Sequence, residues 1–375
     1  MDTGVFVVLP DDGAALLRRM VDGADADAAA DWYQDQYGET VDVHDFLTDL
    51  AELGFVMDGE QPAPSAQEDV PVRWQRLGRA LFSRATAVLF GCLIAAWAAV
   101  VAFDHSLAPT YHRLFFTQYV SVITVVLLAA QTPLVLLHEA AHALAGRRLG
   151  LPSRLSVGRR FHYLVFLTTM DGLVAVPRRK RYLPILAGML TDVAVLAALT
   201  LCAAALRGAG GTGSAVASAA LALAYLTGLR LLWQGWFFLQ TDVYYLVTTV
   251  LGCVDLHTTA RQLNANRWRA WTGRAPAHDP DRWHPRDRAV ARWYAVLMIV
   301  GYGVSLTTFA FAILPGTVHL LRMVFSRFTA GSADAPQIAD SCVFLLLIVG
   351  QVAFAVWLSV RQRRARPSAA PVSAS

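Results

Sequence analysis

Charge is what this chain has least of. Only 16% of its 375 residues are Asp, Glu, Lys or Arg, against about a quarter in soluble domains. Hydrophobic residues make up 55%, and the mean hydropathy is +0.43. That balance argues against an ordinary soluble domain and for a membrane class. Lysine is nearly absent: Lys180 stands alone, which reads as composition bias rather than chemistry. Cys92, Cys202, Cys253 and Cys342 have no paired spacing. A disulfide framework and a cysteine-based zinc site are therefore excluded, and the four read as small apolar residues. No basic, aromatic-interleaved face is present, so the net charge of +4 implies no nucleic-acid partner. The opening MDTGVFVVLPDDG lacks a basic region followed by an apolar core, so it does not read as a signal peptide. The first apolar span is expected to serve as the insertion signal.

Long apolar runs are what the chain has instead. Segments at about 85–103, 118–145, 183–206, 216–250, 293–314 and 341–360 are long enough to span a bilayer. The fourth exceeds the length of a simple crossing, which predicts a break or bend around Asp242. Arginines orient the spans. Arg73, Arg76, Arg79 and Arg84 precede the first, and Arg147, Arg148, Arg159, Arg160, Arg178, Arg179 and Arg181 lie between the second and third. Seven more, from Arg261 to Arg288, fill the loop before the fifth, and Arg361, Arg363, Arg364 and Arg366 follow the sixth. The alternate loops 104–117 and 207–215 are short and carry little positive charge; 315–340 is longer, with Arg322 and Arg327. By the positive-inside rule this predicts a multi-pass protein of the cell membrane with both termini and the large loops cytoplasmic.

Within the second span stands His138-Glu139-Ala140-Ala141-His142. HExxH sets two imidazoles one helical turn apart on one face, at the spacing that shares one Zn²⁺, with Glu139 beside them as a general base. Such motifs arise by chance in soluble helices. At lipid depth each ionisable group costs about 2.5–3.5 kcal/mol on insertion scales, and no water compensates it, so chance is a poor account of three. A catalytic zinc needs a third protein ligand and an open fourth position. Two embedded acids can supply it, Asp192 in the third span and Asp242 late in the fourth, and spacing alone favours neither strongly. Asp192 has a second reading, as a residue that hydrogen-bonds a ligand histidine and fixes its tautomer. The cluster His278-Asp279-Pro280-Asp281-Arg282-Trp283-His284 also holds ligand-type residues, but in an Arg- and Pro-rich loop it reads as solvated surface. Thr317–Phe328 has the pattern of an amphipathic helix on the outer membrane face or, equally, of a partly buried connecting loop.

Residues 1–58 differ from the rest. Twelve acidic residues from Asp11 to Glu52 stand against Arg18 and Arg19 alone. The pattern predicts a strand at Phe6–Leu9, helices at Ala14–Val21, Ala28–Tyr37 and Val43–Leu53, and a returning wing strand at Phe55-Val56-Met57, together a winged-helix-like α+β domain. Leu16, Leu17, Met20, Trp32, Tyr33, Phe46, Leu47, Leu50 and Leu53 supply its core. Residues 59–84 read as a Pro-rich linker and basic juxtamembrane segment, 85–360 as the membrane domain, and 361–375 as a disordered cytoplasmic tail.

Two resemblances follow from these motifs. Asp12-Gly13-Ala14-Ala15-Leu16-Leu17, the Asp-rich helix pair, and Phe46-Leu47-x-x-Leu50-x-x-Leu53-Gly54-Phe55-Val56 resemble the PqqD-like peptide-recognition domains. That resemblance implies binding of the leader of a ribosomally made precursor peptide as an added strand. The acidic surface suits a peptide with basic residues and repels nucleic acid. HExxH in a span, an arginine-rich loop able to form a hairpin (Ser156–Val176), and a later Asp before aromatics together resemble the site-2 protease (M50) family, in its peptide-maturation branch. The resemblance implies His138, His142 and Asp242 as ligands of Zn²⁺, Glu139 as the catalytic residue, and Asp192 at a polar position lining the site. The chain departs from the family pattern at Thr241 and Val243 around Asp242, at Gln234-Gly235 where Asn-Pro is usual, and in lacking Pro after Gly188.

The expectation is a mainly α, polytopic membrane protein of about six transmembrane helices with a small cytoplasmic β-hairpin. It is expected to act as a zinc endopeptidase on a recruited precursor peptide, in maturation or export, with peptide-modifying enzymes or a transporter as further partners. One alternative is a catalytically inactive membrane partner that binds the leader peptide, a maturation enzyme or a transporter. A second is a regulatory site-2 protease that cuts a membrane-anchored regulator, which the shortness of the external loops disfavours.

Overall fold

In the computed structural model, residues 9, 11–52, 55–56, 72–160, 163–170, 172–207, 212–329 and 334–364 are described. The described chain is mainly helical, with one two-stranded sheet. Its N-terminal part holds α1 (Asp11–Val21), α2 (Ala26–Tyr37) and α3 (Val43–Glu52). Asp25 caps α2 by accepting from the Ala28 N–H at 2.7 Å, and Gly38 ends it in the left-handed conformation a side chain resists. Leu16, Ala29, Tyr33 and Val43 are buried together between the three helices.

The three helices expected in the N-terminal part are present, and no strand accompanies them among the described residues. Positions 6–8 and 57 lie outside them, and Phe55 and Val56 form no strand. The Phe55 N–H instead donates to the Leu50 carbonyl at 2.8 Å, closing the end of α3, so it is not free to join a ladder. The linker 59–71 also lies outside the described residues.

Among the described residues, six helices are long and apolar enough to cross a membrane, at Arg84–Phe103, Val120–Arg148, Arg178–Leu206, Gly213–Gln234, Pro285–Phe311 and Ala335–Phe354. They follow a short α4 (Gln75–Leu81) and belong to α5 (Arg84–Phe103), α6 (Val120–Arg148), α7 (Arg178–Leu206) and α8 (Thr212–Gln234), then α11 and α13 below. Their outward faces expose Leu89, Leu128, Ile299 and Leu346, as an apolar solvent permits. At a rise of 1.5 Å per residue the 29-residue α6 is about 44 Å long, more than the roughly 30 Å of hydrocarbon. Its first N–H groups are capped from a distance: Asp340 accepts from Val120 at 3.1 Å and Ser121 at 2.8 Å, and pairs with Arg327 at 2.8 Å.

Between α6 and α7 the chain forms an antiparallel hairpin, β1 (Ser153–Arg160) with β2 (Tyr163–Met170), pairing Leu155 with Thr168. The expected hairpin is present and starts three residues before Ser156. The fourth apolar segment breaks, as its length predicts. After α8 come Gly235, a single 3-10 turn at Phe237–Leu239 and Gln240 at φ 57°; α9 (Asp242–Leu251) then begins with Asp242 itself. Gln234 holds both sides of the break: its carbonyl accepts from Thr241 Oγ1 at 2.7 Å and its Oε1 from the Asp242 N–H at 3.0 Å. Phe238, Leu239 and Tyr244 pack there against α10 (Leu256–Trp271) and α11 (Pro285–Thr308) through Leu256, Ala260, Tyr294 and Met298.

The segment read as the loop 315–340 is largely helical. After α11 a wide π turn (Phe309–Ile313) leads into α12 (Leu314–Thr329), then α13 (Ala335–Arg364). Pro315 has no N–H to return to the Phe311 carbonyl, a cause of such turns. The helix covers the stretch expected to be amphipathic. Arg361–Arg364 continue α13, so the tail expected from 361 is helical at its start; 365–375 lie outside the described residues.

Tyr33 Oη donates to Asp12 Oδ2 at 2.6 Å and joins α2 to α1. This bond holds the Asp12 carboxyl below its ordinary value and pushes Tyr33 up to about 12. A lowered acid stabilises the fold above its unfolded value, about 3.9, and stops doing so as pH falls through the folded value; a raised tyrosine stabilises below about 10 and stops as pH rises through the folded value. Tyr33→Phe is thus expected to cost about 1 kcal/mol at neutral pH, read as faster amide exchange across 11–52 in the whole protein. The gap to wild type should close below about pH 4.

Candidate metal centre

Helix α6 supplies two imidazoles to one face because positions four apart overlie each other. His138 and His142 are both buried, and their Nε2 atoms stand 3.2 Å apart. Asp242 reaches the pair from the start of α9. Its Oδ2 lies 3.3 Å from His138 Nε2 and 3.2 Å from His142 Nε2. The three donor atoms form a nearly equilateral triangle, the sole grouping of this kind among the described residues. An ion bonded at about 2.0–2.1 Å in tetrahedral geometry requires edges of about 3.3–3.4 Å.

The other ring nitrogens decide which atoms are lone pairs. His142 Nδ1 lies 2.7 Å from the Pro184 carbonyl, which can only accept, so Nδ1 carries the proton and Nε2 is bare in the neutral ring. His138 Nδ1 lies 3.0 Å from Asp192 Oδ2, with the same consequence. Two bare nitrogens and a carboxylate oxygen therefore converge with no proton between them. A cation satisfies that arrangement, and the residues fit one.

Net charge points the same way. Asp192 is fully buried and gripped by Arg230 of α8, with Nε 2.8 Å from Oδ2 and Nη2 2.5 Å from Oδ1. With neutral imidazoles, the carboxylates of Asp192, Asp242 and Glu139 and the one guanidinium of Arg230 leave the cluster two charges negative. A divalent cation brings it to zero, which matters where water cannot solvate the excess.

Space for the ion comes from a glycine. A Cβ on Gly188 of α7 would overlap the Nε2 atoms of both histidines. Ala141, Ala145 and Ala187 let α6 and α7 meet closely, and Phe82, just after α4, packs over them. Gly78 of α4 lies directly against the Leu144 carbonyl, so the juxtamembrane segment is seated on the helix that carries both histidines.

Glu139 points toward the hairpin. Thr168 Oγ1 of β2 lies 2.7 Å from Glu139 Oε2 and 3.1 Å from the Glu139 carbonyl. Its single proton goes to the closer carboxylate oxygen and fixes that side chain.

Of the two acids weighed from sequence, Asp242 joins the imidazoles, while Asp192 stands behind His138 as its hydrogen-bond acceptor. The loop from His278 to His284 is exposed and shares in no metal-type group among the described residues. Sequence reasoning missed Arg230, Thr168 and the Pro184 carbonyl, and named Gln234 only as a departure from the family pattern. Arg230 carried a signal: a lone guanidinium in an apolar span meets the same cost that singles out Asp192. The others carried none. The chain matches no family model, no curated protein and no solved structure.

Elemental analysis of the detergent-purified protein is expected to find about one divalent metal per chain. His142→Ala and Asp242→Ala should lose it, each removing one corner of the triangle. Gly188→Ala should lose it too, while helicity by circular dichroism stays unchanged. A Gly188→Ala protein with full metal content would show that the cradle is not there.

Proposed function

We propose that this protein is a membrane-embedded zinc endopeptidase of the site-2 protease type that cleaves a peptide bond in a recruited precursor peptide. The observation that carries the reading is the triangle of His138, His142 and Asp242 donor atoms with Glu139 beside it. Zinc is favoured among divalent ions by two imidazoles and one carboxylate in tetrahedral spacing. The proposal puts the chain in the cell membrane with both termini cytoplasmic, on the strength of six apolar helices and the arginine bias.

When bound, the ion supplies Lewis acidity toward the substrate carbonyl and makes a neighbouring water more acidic. The chain's own residues do the rest. Glu139, held by Thr168, accepts the proton of the attacking water and delivers it to the departing amine nitrogen, so water and peptide leave as acid and amine. Asp192 keeps the His138 Nδ1 proton in place, and the Pro184 carbonyl does the same for His142. Ala141, Ala145 and Ala187 line the seam of α6 and α7 beside the centre.

The N-terminal helices are proposed to recruit the substrate, as a PqqD-like domain would. Asp22, Asp25, Asp27, Asp31, Asp35, Glu39, Asp42, Asp45 and Asp49 are all exposed, which suits a leader carrying basic residues. A recognition domain on the same chain raises the local concentration of substrate even when it binds weakly. Peptide-modifying enzymes or a transporter fit the same pathway as partners. The departures at Thr241 and Val243 motivate a second reading, an inactive relative that binds the peptide without cutting it.

Mass spectrometry of a peptide library incubated with the metal-loaded protein separates the two. Wild type is expected to cleave, and Glu139→Gln to keep its metal while losing at least about 100-fold in rate. Thr168→Val should keep metal and lose roughly tenfold, since only the orientation of the base is disturbed. Equal cleavage by wild type and Glu139→Gln would sink the mechanism; metal without cleavage in wild type would favour the binding partner.

A further inference from the structure

Arg230 is the single charged residue of α8, and it does not touch the metal triangle. Its guanidinium grips Asp192 through both oxygens, Nε to Oδ2 at 2.8 Å and Nη2 to Oδ1 at 2.5 Å. The same Oδ2 that receives Nε also receives His138 Nδ1, at 3.0 Å. One carboxylate oxygen is therefore placed by the arginine and used by the histidine. Without the fork, the Asp192 carboxylate is free to rotate about its last bond, and the acceptor for Nδ1 moves with it.

Packing gives no other reason for this pair. Helices α7 and α8 are already joined by Ala203, Ala217, Ala220 and Leu221, buried against one another. A buried salt bridge is a poor means of joining helices, because desolvation offsets most of its attraction. The Arg230 Nη1 atom is buried with no partner among the described residues, a further cost that helix packing alone does not explain. What the arrangement does secure is the direction of His138 Nε2.

We infer that Arg230 is a positioning residue for the metal centre. By holding both oxygens of Asp192, it fixes that carboxylate against His138 Nδ1 and presents His138 Nε2, unprotonated, to the ion. The inference rests on the proposed metal centre. Lysine cannot reproduce it, since a point charge lacks the two parallel N–H groups that set the angle of the carboxylate.

The test is metal affinity of the whole detergent-solubilised protein, measured with Zn²⁺ against a chromophoric chelator, together with the ligand-field spectrum of the Co²⁺-loaded form. Arg230→Lys is expected to weaken Zn²⁺ binding several-fold, and Asp192→Asn by about 10–100-fold. The decisive variant is the double change Asp192→Asn with Arg230→Gln, which removes one charge of each sign and leaves the net charge as in wild type. It should still bind about 10–100-fold more weakly, with an altered Co²⁺ spectrum. If the pair served only to join helices, the double variant would melt at a lower temperature yet bind Zn²⁺ and Co²⁺ as wild type does, and the inference would fall. Should the double variant not fold, wild-type affinity and spectrum in both Arg230→Lys and Asp192→Asn overturn it equally. A wild type that binds neither ion would overturn the metal centre itself, a different result from either.

Discussion

An ionised group at the depth of an apolar helix must find its counter-charge inside the protein, because nothing outside can solvate it. Helices α6 to α9 are arranged around that requirement. Asp192 has Arg230 and the His138 N–H; Asp242 faces the two bare imidazole nitrogens and, in the proposed state, shares a cation with them. Asp192, His138 and His142 are each oriented by a partner on another element, so the site is built outward from its charges rather than inward from its packing. Small residues then allow the helices to come close enough: Gly188 leaves room where a methyl group would enter the site, and Ala141, Ala145 and Ala187 line the seam beside it.

The break after α8 is what makes the third corner possible. A continuous helix through residue 242 would carry its carboxylate onward along the axis of α8. Instead Gln234 ends one helix with its carbonyl and starts the next with its side chain, and Gln240 turns the backbone through the left-handed region. Asp242 thereby becomes the first residue of a new helix, where the dipole favours its negative charge. The aromatic cluster of Phe238, Tyr244 and Tyr294 holds the break from below, and Asp287 of α11 adds bonds to the N–H groups of Val254 and Asp255 at the far end of α9.

Around this centre, two elements join the site to the rest of the chain. Strand β2 supplies Thr168 to Glu139, which couples the hairpin to the proposed base. Helix α4, at the end of the segment leading from the acidic N-terminal helices, rests through Gly78 and Phe82 on the turn of α6 that follows His142.

Much of this was legible in the residues. Local rules sufficed for the number of apolar helices, the His138–His142 spacing and the hairpin, because each depends on neighbours within a few turns. The excess length of the fourth span announced a break, and its site was close to Asp242. Of the expected wing strand, Phe55 closes the end of α3 with its N–H, a choice between two local bonds that composition does not decide. Other features depended on distance in the chain. Asp192 lies 54 residues from His138 and Asp242 lies 100 from His142, so only the packing of α6, α7 and α9 could assign one acid to the paired Nε2 atoms and the other to the far side of a ring. Arg230, Thr168 and the Pro184 carbonyl orient the site from three different elements, and a backbone carbonyl has no letter of its own. The sequence by itself determined that charged and metal-type groups lie in apolar helices; the tertiary structure decided which of them meet, because electrostatic satisfaction without water is a property of neighbours in space.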